Sequence, residues 1–338
     1  MLKAKNRLGI IFFPAYDWAI SPTHPERQER LLYTQDQLKE EGVFDIDGIG
    51  EYKPEVATVQ DVERVHFCFP DVESVCTESH LISAGGAITA AKLVMEKKED
   101  RAFALVRPPG HHAMKVVHGA RGFCNINIEA VMVEYIREHY GQKRIAIVDT
   151  DCHHGDGSQD IYWNDPNTLY ISIHQEPRTL FPGKGNVEEI GSGEGEGRNL
   201  CIPMPPGSNS HDYRYILENI MGPVAQSFSP DFYLVDVGFD GHRDDPLSSI
   251  RLDDEFFTWI AVEMMDLARS LTLILEGGYD LDALARCNRN LIQGLENYKT
   301  MKEEYEKGKE PIDNSMVNRE TRKIYESLSD IFSPYFDI

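Results

Sequence analysis

The chain has few cysteines and no CxxC pair: Cys68, Cys76, Cys124, Cys152, Cys201 and Cys287 are scattered along 338 residues. That pattern excludes a zinc ribbon, a thioredoxin-type centre and a disulfide framework, and the thiols are expected to be reduced and mostly buried. No apolar run approaches the roughly 20 residues of a membrane span. The apolar stretch in the opening MLKAKNRLGIIFFPAYDW is shorter than a signal h-region and reads as a first strand, so no membrane partner and a cytoplasmic location are expected. Positive charge is scarce, with 34 Lys and Arg against 56 Asp and Glu for a net −22. Such a surface repels phosphate, which argues against nucleic acid as a partner. It suits lysine-bearing or polyamine substrates, although most of the charge serves solubility. Phosphate loops are missing as well: GSGEGEG at 191–197 fits neither GxGxxG nor GxxxxGK[ST] and reads as a surface turn. There is no internal repeat and no low-complexity linker.

What is present is alternation. Predominantly apolar runs at 8–13, 102–106, 145–148, 168–174, 232–237 and 271–275 suggest strands buried on both faces, with 199–202 as a further short strand. Helical patterns fall between them, at 27–41, 59–66, 79–98, 125–139 and 211–228, and an amphipathic helix follows at 319–332. The Gly85-Gly86 pair inside 79–98 predicts a close backbone approach. The order predicts one doubly wound α/β domain, a central and mainly parallel sheet flanked by helices. Its core is expected over about 8–295, with a structural helical tail over about 296–338.

Four of these strands run into reactive side chains. IAIVDTDCHHGDG at 145–157 delivers Asp149, Asp151, His153, His154 and Asp156 where a strand ends, and ligands of open α/β sheets collect at such ends. Asp151 and His153 are two apart, so on extended chain both point the same way and could present a carboxylate and an imidazole to one metal ion. A polar loop leading into a capped helix near Asp156 is the plainer reading of that stretch. The other strand ends carry His111-His112, Asp240 and Tyr279. Each alone is ordinary, a surface pair, a cap or a tight turn. Their joint placement on one sheet edge points to a site.

The motifs that carry these residues also resemble a family. RPPGHHA at 107–113, GFCNIN at 122–127, DTDCHHGDG at 149–157, LFPG at 180–183, GFDGHRDDPL at 238–247 and LEGGYDL at 275–281 are similar, in order and spacing, to the zinc-dependent histone deacetylase superfamily. GFDGHRDDPL and LEGGY are nearer the class II and bacterial deacetylase-like amidohydrolases than class I. The likeness runs from HPERQERL at 24–31 to about residue 294, and implies the arginase/deacetylase-like fold.

The resemblance implies zinc held by Asp151, His153 and Asp240, three ligands that leave a position for water. It implies His111 and His112 as acid–base groups, oriented by Asp149 and Asp156 respectively, and Tyr279 as donor to the oxyanion. Gly122, Phe123 and Phe181 would wall a narrow channel, with Leu247 at its rim. Potassium is implied near the zinc, at Asp149, Asp151, His153, Ser172 and Ile173, with Tyr162, Asp165 and Thr168 loosely matching a second site. Asp236 departs from the pattern, where relatives more often carry an uncharged polar residue. Strand parity puts it on the side of Asp240, so either it perturbs the site or it is a hydrogen-bonded buried carboxylate.

The substrate the resemblance implies is an acylated lysine in a protein or peptide, and hydroxamate inhibitors should bind at the metal. The alternative is an acetylated polyamine or other small amide, since that chemistry is identical. Polyamine-specific relatives carry a long insertion in an early loop, whereas only five residues separate Trp18 from His24, which predicts a more open mouth. Asp71 or Glu73 could hold peptide N–H groups at the rim. The ureohydrolases, which share the sheet, expect SxDxDxxDP and two manganese ions, and GFDGHRDDP lacks the second ligand set. A non-catalytic acyl-lysine binder would be expected to have lost a ligand, a histidine or the tyrosine, and none is lost. Oligomeric state is left open.

Overall fold

A computed structural model describes residues 2–268, 270–308 and 314–338. Its strands are β1 Lys3–Phe13, β2 Asp47–Tyr52, β3 Phe67–Cys68, β4 Arg101–Val106, β5 Val116–Val117, β6 Ile145–Asp149, β7 Thr168–Gln175, β8 Asn199–Met204, β9 Phe232–Val237 and β10 Leu271–Leu275. Eight of them form one sheet in the order β2-β1-β4-β10-β9-β6-β7-β8, parallel throughout, and β3 and β5 form a separate pair. Every residue of β6, β7, β8, β9 and β10 is buried, which is why their sequences are largely apolar and show no polar alternate face.

Alternate residues of each strand feed two cores. Ile145, Ile147, Leu234 and Ile274 pack with the helices Glu78–Met95 and Ile128–Tyr140. Ala146, Val148, Val235 and Leu273 pack with Asp254–Leu267, Leu281–Glu296 and the tail helix Arg319–Phe332, whose Leu328 and Phe332 are fully buried. A doubly wound sheet is the result, as its alternating pattern predicts. At Gly85 a Cβ would overlap the main chain of Glu55, so the expected close approach is made. Among the described residues no helix is long and apolar enough to cross a membrane.

The helices Asp254–Leu267 and Leu281–Glu296 are not among the helical patterns read from the sequence, and two other features differ from that reading. The segment expected as one helix over 211–228 is helical in three pieces, Ser210–Ile216, a π-type turn Leu217–Met221 and Gly222–Phe228. Pro223 lacks an N–H and its ring crowds the preceding turn, so the hydrogen-bond ladder shifts there. The edge strand β2, DGIGEY, carries no apolar run and buries only Ile49; its pairing with β1 supplies the order that its own sequence does not signal.

Two buried histidines make stability depend on pH. His66 Nδ1–H donates to Met114 O at 2.9 Å, and its Nε2 accepts the Asn127 N–H at 2.9 Å. Burial pushes its pKa down to about 4, and does the same for His80, whose Nδ1 accepts the Thr77 N–H at 3.0 Å. Between the unfolded value of 6.5 and 4, only the unfolded chain takes up the proton. Stability is therefore complete above pH 6.5 and falls as pH drops through that window, by about 3 kcal/mol per histidine at most. Urea midpoints at pH 7.5 and 5 should show the loss, and His66→Gln should reduce it by about 2 kcal/mol. An undiminished acid loss in that variant would clear His66.

Candidate functional site

The four central strands β4, β10, β9 and β6 are neighbours, and their carboxyl ends bring together loops that lie far apart in sequence. A buried triad fixes two of these loops. Glu26 accepts from Arg107 Nε at 2.8 Å and Nη2 at 2.6 Å, and from Arg30 Nη1 at 2.9 Å; all three side chains are fully buried. Arg30 also donates to the main-chain oxygens of Gly278 at 2.6 Å and Glu276 at 2.7 Å, and its guanidinium lies 4.7 Å from the Tyr279 ring centre. Arg107 donates to Pro14 O and Ala15 O. Asp245 holds the same region from the other side, accepting the N–H groups of Tyr279 at 2.6 Å, Asp280 at 3.1 Å and Leu247 at 3.0 Å. Sequence reasoning missed the triad and Asp245. The available signal was Arg107 directly after the apolar run of β4; Glu26 and Arg30 stand in a stretch, HPERQER, whose charge reads as ordinary solvent-facing helix.

At the floor, His153 Nδ1 lies 3.0 Å from Asp151 Oδ1 and 3.1 Å from Asp240 Oδ2. Asp151, His153, Asp240 and the neighbouring Cys152 offer ligand atoms all within 4.8 Å of one another. Burial, and then the charge of Asp151, push the Asp240 carboxyl up. Two carboxylates and an imidazole crowded in a buried space suit a divalent cation with nitrogen and oxygen preferences, as zinc has. Gly277 is part of the cradle: a Cβ there would overlap carboxylate oxygens of both Asp240 and Asp151, and its N–H donates to Asp151 Oδ2 at 2.8 Å. Cys152, which sequence reading did not put forward as a ligand, has its Sγ 3.4 Å from His153 Nδ1. Burial and Asp240 hold that thiol protonated, which makes it the weakest donor of the four.

Above this floor each histidine has its own carboxylate. His111 Nδ1–H donates to Asp149 Oδ2 at 3.0 Å, and the same oxygen accepts the Tyr170 hydroxyl at 2.8 Å. His112 Nδ1–H donates to Asp156 Oδ1 at 2.9 Å, while Asp156 Oδ2 is ion-paired with Arg121. The two imidazoles differ in charge. Burial opposes protonation of His111, but Asp149, Asp151 and Glu276 outweigh it and raise its pKa well above the usual value. At His112 burial and the adjacent His111 prevail, and the pKa falls to about 3. One ring is thus cationic and the other a neutral acceptor through its Nε2. Burial keeps the Tyr279 phenol protonated and able to donate.

A cavity of about 370 Å³ joins these groups, lined by His111, His112, Asp151, His153, Gly277 and Tyr279 below and by Gly122, Phe123, Phe181 and Leu247 around them. At Gly122, φ is 52° and a Cβ would run into the His112 ring and Phe181, so only glycine fits. Phe123 also has a positive φ, 72°, and is held by edge contacts with His24 at 4.4 Å and Tyr279 at 5.7 Å. Phe181 stands edge-on to His112 at 4.9 Å and remains 45% exposed, which puts it at the opening.

The other residues named from the sequence lie nearby with different surroundings. Ser172 pairs in register with Asp149, and its hydroxyl is 3.1 Å from His154 Nδ1 and 2.8 Å from His174 Nδ1; Ile173 is buried beside it. Among Tyr162, Asp165 and Thr168 the cation is the guanidinium of Arg137, which pairs with Asp165 at 2.8 Å and donates to Thr168 Oγ1 at 2.7 Å. Asp71 caps the short helix Val72–Val75 through Ser74 N, and neither it nor Glu73 lines the cavity. Asp236 is fully buried, but the hydrogen-bonded alternative does not hold, because neither carboxylate oxygen has a partner among the described residues. Burial, and then Glu129, raise its pKa well above the usual range, so it is a neutral acid beneath the site. A second group, His242, Asp254 and Cys287, is also compact. It is satisfied internally: His242 Nε2–H donates to Asp254 at 2.8 Å, His242 Nδ1 accepts the Asp244 N–H, and Arg286 donates to Asp254 at 2.9 Å.

A parallel sheet carrying an aspartate-histidine-aspartate donor set, paired carboxylate-backed imidazoles and a phenol around one cavity has the parts of a hydrolase. Comparison with known proteins identifies it further. Residues 70–295 match the histone deacetylase domain family. A "Probable deacetylase" of Archaeoglobus fulgidus is 40% identical over 315 residues, covering 86% of each chain. Another of that description, from Methanothermobacter thermautotrophicus, is 43% identical over 256 residues, covering 76% of this chain and 73% of that protein. The crystal structure of the HDA15 HD domain superposes with a TM-score of 0.85 at 26% identity, covering 98% of this chain and 95% of that one. The chain belongs to the histone deacetylase family, and it is a hydrolase of the deacetylase type.

Proposed function

We propose that the chain removes acetyl or other acyl groups from lysine side chains of proteins or peptides, with zinc held by Asp151, His153 and Asp240. The observation that carries this reading is the convergence of that donor set, both histidine–carboxylate pairs and Tyr279 on one cavity walled by Phe123 and Phe181. Two aromatic faces suit the methylenes of a lysine whose charge the acyl group has removed. When bound, zinc supplies Lewis acidity to the amide carbonyl and to the attacking water.

His112, neutral and oriented by Asp156, takes the proton from that water as its oxygen adds to the carbonyl carbon. Tyr279 donates a hydrogen bond to the developing oxyanion, and cationic His111 stabilises the same charge. The C–N bond then breaks, and the proton on His112 passes to the departing lysine nitrogen. The products are a carboxylate and a free amine. Potassium, which Asp149, Asp151, His153, Ser172 and Ile173 would hold, belongs to the same proposal.

Tyr279→Phe should keep its zinc and its affinity for a hydroxamate, whose anchor is the metal, yet lose about 2–4 kcal/mol of transition-state stabilisation, the scale of one oxyanion donor. An unchanged turnover number would remove the phenol from the mechanism.

The substrate class rests on the early loop, in which only five residues separate Trp18 from His24. Measuring kcat/KM for an acetyl-lysine peptide beside acetylputrescine and acetylspermidine on one preparation tests it. The peptide should be preferred. A polyamine preference of about a hundredfold would discard protein deacylation and leave the zinc amidohydrolase standing.

A further inference from the structure

The chain carries 56 acidic residues, yet residues 101–128 contain none. That segment leads through His111 and His112 to Gly122 and carries Arg101, Arg107, Lys115 and Arg121. Residues 177–187, which bring in Phe181, also lack acidic residues and carry Arg178 and Lys184. Of these cations Arg107 is buried against Glu26, Arg178 is paired with Glu176, and Arg101 opens β4 at the end of the sheet away from the site, so the positive charge near Phe181 is that of Arg121 and Lys184.

Arg121 links the two segments. Its guanidinium carbon lies 5.2 Å from the Phe181 ring centre, it pairs with Asp156, and 37% of its side chain stays exposed. Lys184, three residues beyond Phe181, is exposed as well. Asp156 is buried, so the solvent-facing charge of its pair with Arg121 is that of the guanidinium.

We propose that Arg121, assisted by Lys184, selects substrates by charge at the Phe181 side of the mouth, favouring an acyl-lysine whose peptide neighbour is acidic and disfavouring substrates that carry a cation there. The inference rests on the acyl-lysine reading and deepens it. In the channel an acyl-lysine side chain is neutral, so only flanking groups meet this charge. An acetylated polyamine keeps ammonium groups on the same chain and meets it unavoidably. The effect is Coulombic at an exposed rim, so it should be modest and should shrink as salt is raised.

The test compares kcat/KM for three acetyl-lysine peptides, differing only in Glu, Gln or Lys beside the acetyl-lysine, and for acetylspermidine. The wild type, Arg121→Lys, Arg121→Gln, Arg121→Glu and Lys184→Glu are assayed at low and high salt. Ratios between substrates are the readout, because any loosening of Asp156 by loss of Arg121 lowers all rates together and cancels. The Glu:Lys peptide ratio should fall by about threefold in Arg121→Gln and about tenfold in Arg121→Glu at low salt. Arg121→Lys should preserve it, and Lys184→Glu, which does not touch Asp156, should lower it in the same direction. The acetylspermidine rate relative to the Gln peptide should rise in the Glu variants. Peptide turnover with ratios unchanged across all variants overturns the inference alone. Polyamine turnover without any peptide turnover overturns the acyl-lysine reading, and the inference with it.

Discussion

Asp240→Ala is expected to abolish stoichiometric zinc and to cost activity several kcal/mol, about a thousandfold or more, because the metal's Lewis acidity goes with it. Asp240 contributes one oxygen 3.1 Å from His153 Nδ1, and the other accepts the Cys152 N–H at 3.0 Å. Removing both oxygens leaves one carboxylate and one imidazole, too few for a tetrahedral site. Loss of the cap on Cys152 N could disturb the loop, so Asp240→Asn, of the same shape, is the companion variant. It can keep the Cys152 bond while presenting a poorer, uncharged ligand. Metal content by mass spectrometry and amidase rate are measured on both. Full zinc with full activity in either variant would show the ligand assignment to be wrong.

The two histidine variants should diverge nearly as widely. His112→Ala removes the neutral imidazole and is expected to lower kcat by about 10²–10⁴, the usual scale of a positioned acid–base group. His111→Ala removes a ring that is already cationic, so it should cost less. The sign of the pH dependence follows. A base whose pKa is pushed to about 3 stays unprotonated as pH falls toward 5, so His112 itself gives no acidic limb in that range. His111, raised well above its usual value, carries its charge at neutral pH and gives it up only as pH rises, so the wild-type rate should decline on the alkaline side. His111→Ala should lose that decline. Equal and small losses in both variants, with unchanged profiles, would remove the pair from the chemistry. Because the two groups are adjacent, the limbs are read as properties of the pair.

Much of the fold was legible because burial on both faces writes itself locally. The runs at 145–148, 232–237 and 271–275 are apolar but for Asp236 and Thr272, and each is a strand with every residue buried. The strand ends were legible for the same reason: Asp149 to Asp156, His111-His112, Asp240 and Tyr279 each follow such a run directly. Less legible were elements whose order comes from a neighbour. β2 buries one apolar residue and exists through β1, and the π-type turn within 210–228 stands beside a proline inside an otherwise helical pattern.

The sequence by itself determined which residue types stand at which strand ends, since a strand's length, period and burial are properties of contiguous residues. Tertiary structure alone decided which of those ends meet. The order β4-β10-β9-β6 sets Asp151 and His153 against Asp240, 87 positions away from His153, and brings Gly277 under both carboxylates. It decided that Glu26 neutralises Arg30 and Arg107, that Arg121 shares Asp156 with His112, and that Asp236 has no hydrogen-bond partner among the described residues. The reason is physical: a charge acts through whatever surrounds it, and in a buried site those surroundings come from strands and loops that only packing makes adjacent.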